Sequence, residues 1–162
     1  MTRARIASDD PRSADVRALL DRHHAFAHLH SPPEDVHALG VDGLVDAAVT
    51  FVSLRVDGRL VGVGALRELD ATHAEIKSMH VAEEQRGAGA GRALLDHLLG
   101  TARERGYRRV SLETGSMAAF APARALYESV GFRACGPFDG YAESPNSAFL
   151  TMELDGSGGD RP

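Results

Sequence analysis

The run Gln85-Arg86-Gly87-Ala88-Gly89-Ala90-Gly91-Arg92, followed at once by Ala93-Leu94-Leu95, constrains this chain more than any other stretch. A strand-like segment, Ala74 to Val81, leads into it, and a helical pattern of apolar residues leaves it. Strand, glycine-rich turn and helix in that order make an anion cradle. Glycine lets the backbone approach a ligand closely, and the first N–H groups of a helix have no partner within it. The positive end of the helix dipole adds attraction for phosphate. A ligand carrying a pyrophosphate is expected here.

The pattern around the cradle gives the fold class. Arg3 to Ala7 reads as a first strand, and Pro11 with Asp10 or Ser13 opens a helix with an apolar stripe at Val16, Leu19, Leu20 and Ala27. That helix runs through His23, His24, His28 and His30 and stops near Ser31-Pro32-Pro33. Pro33 to Gly43 is a short helix or loop. Val49 to Val56 and Leu60 to Leu66 are strands joined at Asp57-Gly58, a strong hairpin signal. Thr72 to Val81 adds a third strand. Leu94, Leu95, Leu98, Leu99 and Ala102 recur at helical spacing until Gly106. Arg109 to Glu113 is a strand, Pro122 opens a helix closed by Gly131, and Phe132 to Cys135 and Ala148 to Leu154 finish as strands. The order β-α-(α)-β-β-β-α-β-α-β-β predicts a mixed α/β sheet. Its N-terminal half is mainly antiparallel, a βαβ half follows, and helices cover both faces.

The 162 residues suit one domain, read as 1–154, with the polar, glycine-rich stretch 155–162 as a disordered tail. With 43% hydrophobic and 25% charged residues, the balance is that of a soluble globular domain. The 23 acidic residues outnumber 18 basic ones, which disfavours nucleic acid as a partner. No stretch is long and apolar enough for a membrane span or a secretory signal, and Cys135 alone cannot form an internal disulfide. A cytoplasmic setting is expected, with Cys135 a small buried apolar residue.

These residues resemble the GNAT superfamily of N-acetyltransferases. Its acetyl-CoA signature, R/Q-x-x-G-x-G/A, is met at every position by Arg86-Gly87-Ala88-Gly89-Ala90-Gly91. A second run, Ala123-Arg124-Ala125-Leu126-Tyr127-Glu128-Ser129-Val130-Gly131-Phe132, is similar to the family's A-x-x-L-Y-x-x-x-G-F. Both stand on the expected elements and in the expected order. Rival readings of the glycines fail: no G-x-x-x-x-G-K-[ST] is present, and Gly87, Gly89 and Gly91 are not spaced as in a Rossmann turn.

The resemblance implies acetyl transfer from acetyl-CoA to an amine of a small molecule or a peptide, by direct attack. Arg86, Gly87, Ala88, Gly89, Ala90 and Gly91 would hold the pyrophosphate, with Arg92 adding charge. The central strands would splay, and backbone groups of Met79 and Val81 would pair with the pantetheine arm. Tyr127 would protonate the departing thiolate; free phenol and thiol have pKa values of about 10 and 8.5, a nearly balanced exchange. Glu75 stands where histone-type members carry their base. A partnership with Lys77, two residues on along one strand face, is an equal alternative. His80 and Glu113 are reserve site residues.

In the first helix, His24 and His28 are four apart, the spacing of two ligands on one helix face. No cysteine, carboxylate or H-E-x-x-H completes a metal set, so a solvated face is the preferred reading and no metal is expected. His28, His30 and Ser31 could instead touch the acceptor. Many relatives carry asparagine where this chain has Phe120, so that amide's hydrogen bonds must be absent or replaced. Superfamily members often dimerise, which leaves a homodimer open. A GNAT fold that binds acyl-CoA without turnover is the alternative function.

Overall fold

The computed structural model describes residues 3–33 and 39–154. The expected tail and residues 34–38 of the second helical segment lie outside the described residues. The elements are β1 (Ala4–Ser8), α1 (Ala14–His30), α2 (Val41–Leu44), β2 (Val49–Val56), β3 (Arg59–Glu68) and β4 (His73–Val81). They continue with α3 (Ala90–Glu104), β5 (Arg109–Gly115), α4 (Ala121–Ser129), β6 (Arg133–Ala134) and β7 (Ser147–Glu153). The sheet order is β1-β2-β3-β4-β5-β7-β6. The β4–β5 pair is parallel and is joined through α3; the other pairs are antiparallel.

The β2–β3 turn has Asp57 and Gly58 both at positive φ, 53° and 83°. Those angles give a turn whose twist matches its strands. Two apolar layers sandwich the sheet. On one face α3 buries Leu94, Leu95, Leu98 and Leu99 with Val110, Leu112 and Tyr127; on the other, Val16, Leu19 and Leu20 of α1 meet Phe51, Val63 and Ala65. Helix α3 lies so close to β3 that a Cβ on Gly62 would come within 2.9 Å of Leu94 Cδ1, and one on Gly64 within 3.0 Å of Leu98 Cδ1. Glycine in the strand is therefore the partner of leucine in the helix. Leu98 is 0% exposed. Leu98→Ala is expected to cost about 2–5 kcal/mol, read as a lower midpoint in denaturant at unchanged slope.

Two sequence expectations need correction. The strand drawn over Phe132 to Cys135 shortens to Arg133–Ala134, although the Cys135 N–H still donates to the Phe149 carbonyl at 2.9 Å. Cys135 is half-buried rather than part of the core, because it lies just past this short strand at the edge of the sheet.

The feature that shapes the site is the parting of β4 from β5. They pair only at His73↔Arg109, Ala74↔Val110 and Glu75↔Ser111. Beyond that point β4 stays with β3, and β5 stays with β7 along all seven of its residues. In β4 the ladder to β3 is interrupted at Ser78, which has φ 56°. Such a bulge bends its strand and strengthens its twist, turning the end of β4 away from β5.

Candidate active site

The wedge between the parted strands is the floor of a cleft of about 450 Å³. Helix α3 closes one end and α1 another, and the start of α4 forms a wall. Alternation sorts the side chains. Ile76 and Leu112 go under α3 into the core, while Glu75 and Lys77 lie on the opposite face, beside the loop that precedes β7.

At the α3 end the cradle takes its expected shape. Gly87 and Gly89 have φ of 87° and 85°, a conformation costly for residues with a Cβ. Gly89 caps α3 with no side-chain hydrogen bond, and no acid occupies the first turn. The first bond of the helix runs from the Ala93 N–H to the Gly89 carbonyl at 3.0 Å, leaving the preceding N–H groups unused within the helix. Arg86, Gly87, Gly89, Ala90 and Gly91 line the cleft, as do Met79 and Val81. Ala88 and Arg92 do not. Both are exposed, and Arg92 pairs with Asp96 one turn along at 3.2 Å.

Tyr127 lines the cleft from α4, 7% exposed, its ring edge-on to Phe132 at 5.8 Å. Burial pushes its phenol up to about 12. Proton donation to a thiolate with an ordinary pKa of about 8.5 is then uphill, so the near balance expected from free groups does not hold. The exchange approaches balance only with a thiolate formed in the same dry cleft, whose proton affinity burial also raises.

Glu75 is 1% exposed and lines the cleft. The expected partnership with Lys77 is present. Lys77 Nζ lies 3.4 Å from Oε2, Arg67 Nη1 lies 3.6 Å from Oε1, and the Tyr141 hydroxyl donates to Oε2 at 2.5 Å. Oε1 has no hydrogen-bond partner among the described residues. Ser78 Oγ, also buried and also in the cleft wall, has none either. Two buried polar atoms without partners suit a cleft that takes up a polar ligand.

The remaining expectations divide. Ser31, His80 and Glu113 line the cleft, whereas His28 is exposed and stands off it. The reason is helical phase: Phe26 and Ala27 of α1 face the cleft, and His28 is turned outward. The solvated face expected for His24 and His28 holds for His28, which is exposed, but not for His24. His23 Nδ1 lies 3.1 Å from His80 Nδ1, and His24 Nε2 lies 3.0 Å from the Leu39 carbonyl. Burial, then mutual repulsion, pushes His23 down to about 3, and burial with Arg86 nearby pushes His80 to about 4. Both imidazoles stay neutral at physiological pH. Among the described residues no three His, Cys, Asp or Glu side chains converge as metal ligands would.

Sequence reasoning missed His23, Phe26 and Tyr141. It also left open what replaces the asparagine. The Phe120 ring covers Gly115 so closely that a Cβ there would collide with it, and meets Phe26 edge-on at 5.3 Å across the cleft. Close by, Arg124 Nη1 donates to the carbonyls of Gly115 at 2.6 Å and Met117 at 3.0 Å. An arginine four residues along thus pins the end of β5.

The profile of the acetyltransferase (GNAT) family matches residues 14–132. The chain belongs to that family. As a GNAT protein it is an acetyl-CoA-dependent acetyltransferase. It is 47% identical over 149 residues to the uncharacterized N-acetyltransferase YsnE of Bacillus subtilis (strain 168), covering 92% of this chain and 99% of that one. It is 40% identical to the uncharacterized N-acetyltransferase YedL of Escherichia coli (strain K12), covering 92% and 94%. A crystal structure of a GNAT family acetyltransferase from Elizabethkingia anophelis with acetyl-CoA bound superposes with a TM-score of 0.69 at 21% identity, covering 93% and 98%. No helix among the described residues is long and apolar enough to cross a membrane.

Proposed function

We propose that this GNAT chain moves the acetyl group of acetyl-CoA directly to a primary amine of a small molecule or peptide, with Glu75 as base and Tyr127 as acid. One observation carries the reading. Where β4 and β5 part, one cleft holds a buried carboxylate, one oxygen of which has no hydrogen bond among the described residues, and a buried phenol. The turn from Arg86 to Gly91 would hold the pyrophosphate of the co-substrate on its free N–H groups. The β4 backbone past Glu75, at Met79 and Val81, has lost β5 as a neighbour and is available to the pantetheine arm.

Glu75 takes the proton that the attacking nitrogen must lose. A lysine-like amine, pKa about 10.4, otherwise spends roughly 4–5 kcal/mol to become a nucleophile near pH 7. As the C–N bond forms and the C–S bond breaks, Tyr127 delivers its proton to the sulfur. His80, Ser31 and Glu113 border the space open to the acceptor.

Thiol release from acetyl-CoA, measured against a panel of amines, amino acids and peptides, tests the reading. At least one amine is expected to accelerate release and to appear acetylated on nitrogen by mass spectrometry. Acceleration only by alcohols or thiols would overturn it.

A further inference from the structure

We propose that Tyr141 is the positioning residue for Glu75: it pins one carboxylate oxygen and thereby leaves the other to take the acceptor's proton. The inference rests on Glu75 being the base. Tyr141 belongs to neither family motif and stands in the loop between β6 and β7, 66 residues from Glu75.

The hydrogen bonding around its hydroxyl has a fixed direction. Lys77 Nζ lies 2.8 Å from the Tyr141 oxygen, and an ammonium has donors only. The oxygen therefore accepts from Lys77, and its own proton goes to Glu75 Oε2 at 2.5 Å. Lys77 Nζ also stands 3.4 Å from that oxygen, so both donors converge on Oε2 while Oε1 receives no hydrogen bond from the described residues. A carboxylate held by one oxygen cannot exchange its two oxygens by rotation without breaking a charge-assisted bond.

The loop is built to hold the tyrosine in place. Asp139 and Gly140 form a turn at φ 48° and 82°, and the Tyr141 N–H donates to the Phe138 carbonyl at 2.9 Å. The rings of Phe138 and Phe149 flank Tyr141 at 5.1 Å and 5.6 Å. Arg67 ties the turn to the base from the other side, 3.1 Å from Asp139 and 3.6 Å from Glu75 Oε1. This geometry is more than packing requires, because a phenylalanine would fill the same aromatic slot.

A double-mutant cycle tests the proposal. Thiol release from acetyl-CoA is measured for wild type, Tyr141→Phe, Glu75→Gln and the double variant. The acceptors are the fastest amine of the panel and, in parallel, water alone. Near-UV circular dichroism confirms that the aromatic packing is intact. Tyr141→Phe is expected to lower kcat about tenfold, the effect of one charge-assisted hydrogen bond, with the KM for acetyl-CoA unchanged. In the Glu75→Gln background the same change should alter the rate by less than about twofold. A wild-type rate in Tyr141→Phe would overturn the proposal, and so would an equal tenfold loss with Glu75 already replaced. An unimpaired Glu75→Gln is a different pattern and overturns the base assignment itself.

Discussion

Glu75→Gln is expected to lower kcat/KM by about 10²–10³-fold near pH 7, the range for losing a general base. The substitution keeps the shape and an oxygen that can accept from Tyr141 and Lys77, but removes the proton acceptor. The acceptor amine must then lose its proton to bulk water before it enters the cleft. The deficit should accordingly narrow toward roughly pH 10, where a lysine-like amine is largely neutral in solution. Stability will also fall, since Lys77 loses a counter-charge in a buried setting; Arg67 retains Asp139 at 3.1 Å. Rates are therefore compared well below both melting temperatures. A pH-independent deficit would point to a structural role for Glu75 and away from base catalysis.

Tyr127→Phe should lower kcat by about 10²-fold or more while acetyl-CoA binding, measured by calorimetry, stays within about twofold. The ring contact with Phe132 survives the change, and the hydroxyl makes no hydrogen bond among the described residues. Removing a hydroxyl that bonds to no described residue leaves no partner unsatisfied, so the melting temperature should hold or rise. A variant at once more stable and far less active is the signature of a group placed for chemistry. The pH profile gives a second check. A phenol raised to about 12 remains protonated, and so remains a donor, throughout the range where the acceptor amine titrates. Wild-type activity should climb to a plateau as the amine deprotonates, with no alkaline fall from this tyrosine below about pH 11. Full activity in Tyr127→Phe would assign thiolate protonation to another group or to water.

Much of the fold was legible because its signals are local. The β2 strand runs over Val49–Val56 as read from the sequence, since the Asp57-Gly58 turn marks where it must end. The cradle is equally local: glycines at positive φ and an uncapped helix start are set by neighbours in the chain. Tyr127 was singled out by the resemblance of Ala123 to Phe132 to the family's second motif. The partners of His23 and His24 in α1 were missed because a helix pattern gives phase but not what lies across from it. His23 and His80 meet only because α1 packs on β4, 57 residues away.

The sequence by itself determined the element order, the anion cradle and the family, all of which depend on residues close along the chain. What only the tertiary structure decided was how Glu75 is held. Lys77 was legible two residues along the strand, but Arg67 comes from β3 and Tyr141 from a distant loop, and they meet Glu75 where β4 turns away from β5. That divergence follows from the bulge at Ser78 and from the competing pull of β3 and β7 on the two strands. Contacts of this kind are set by strand register and twist across the whole sheet, which no local pattern of residues encodes.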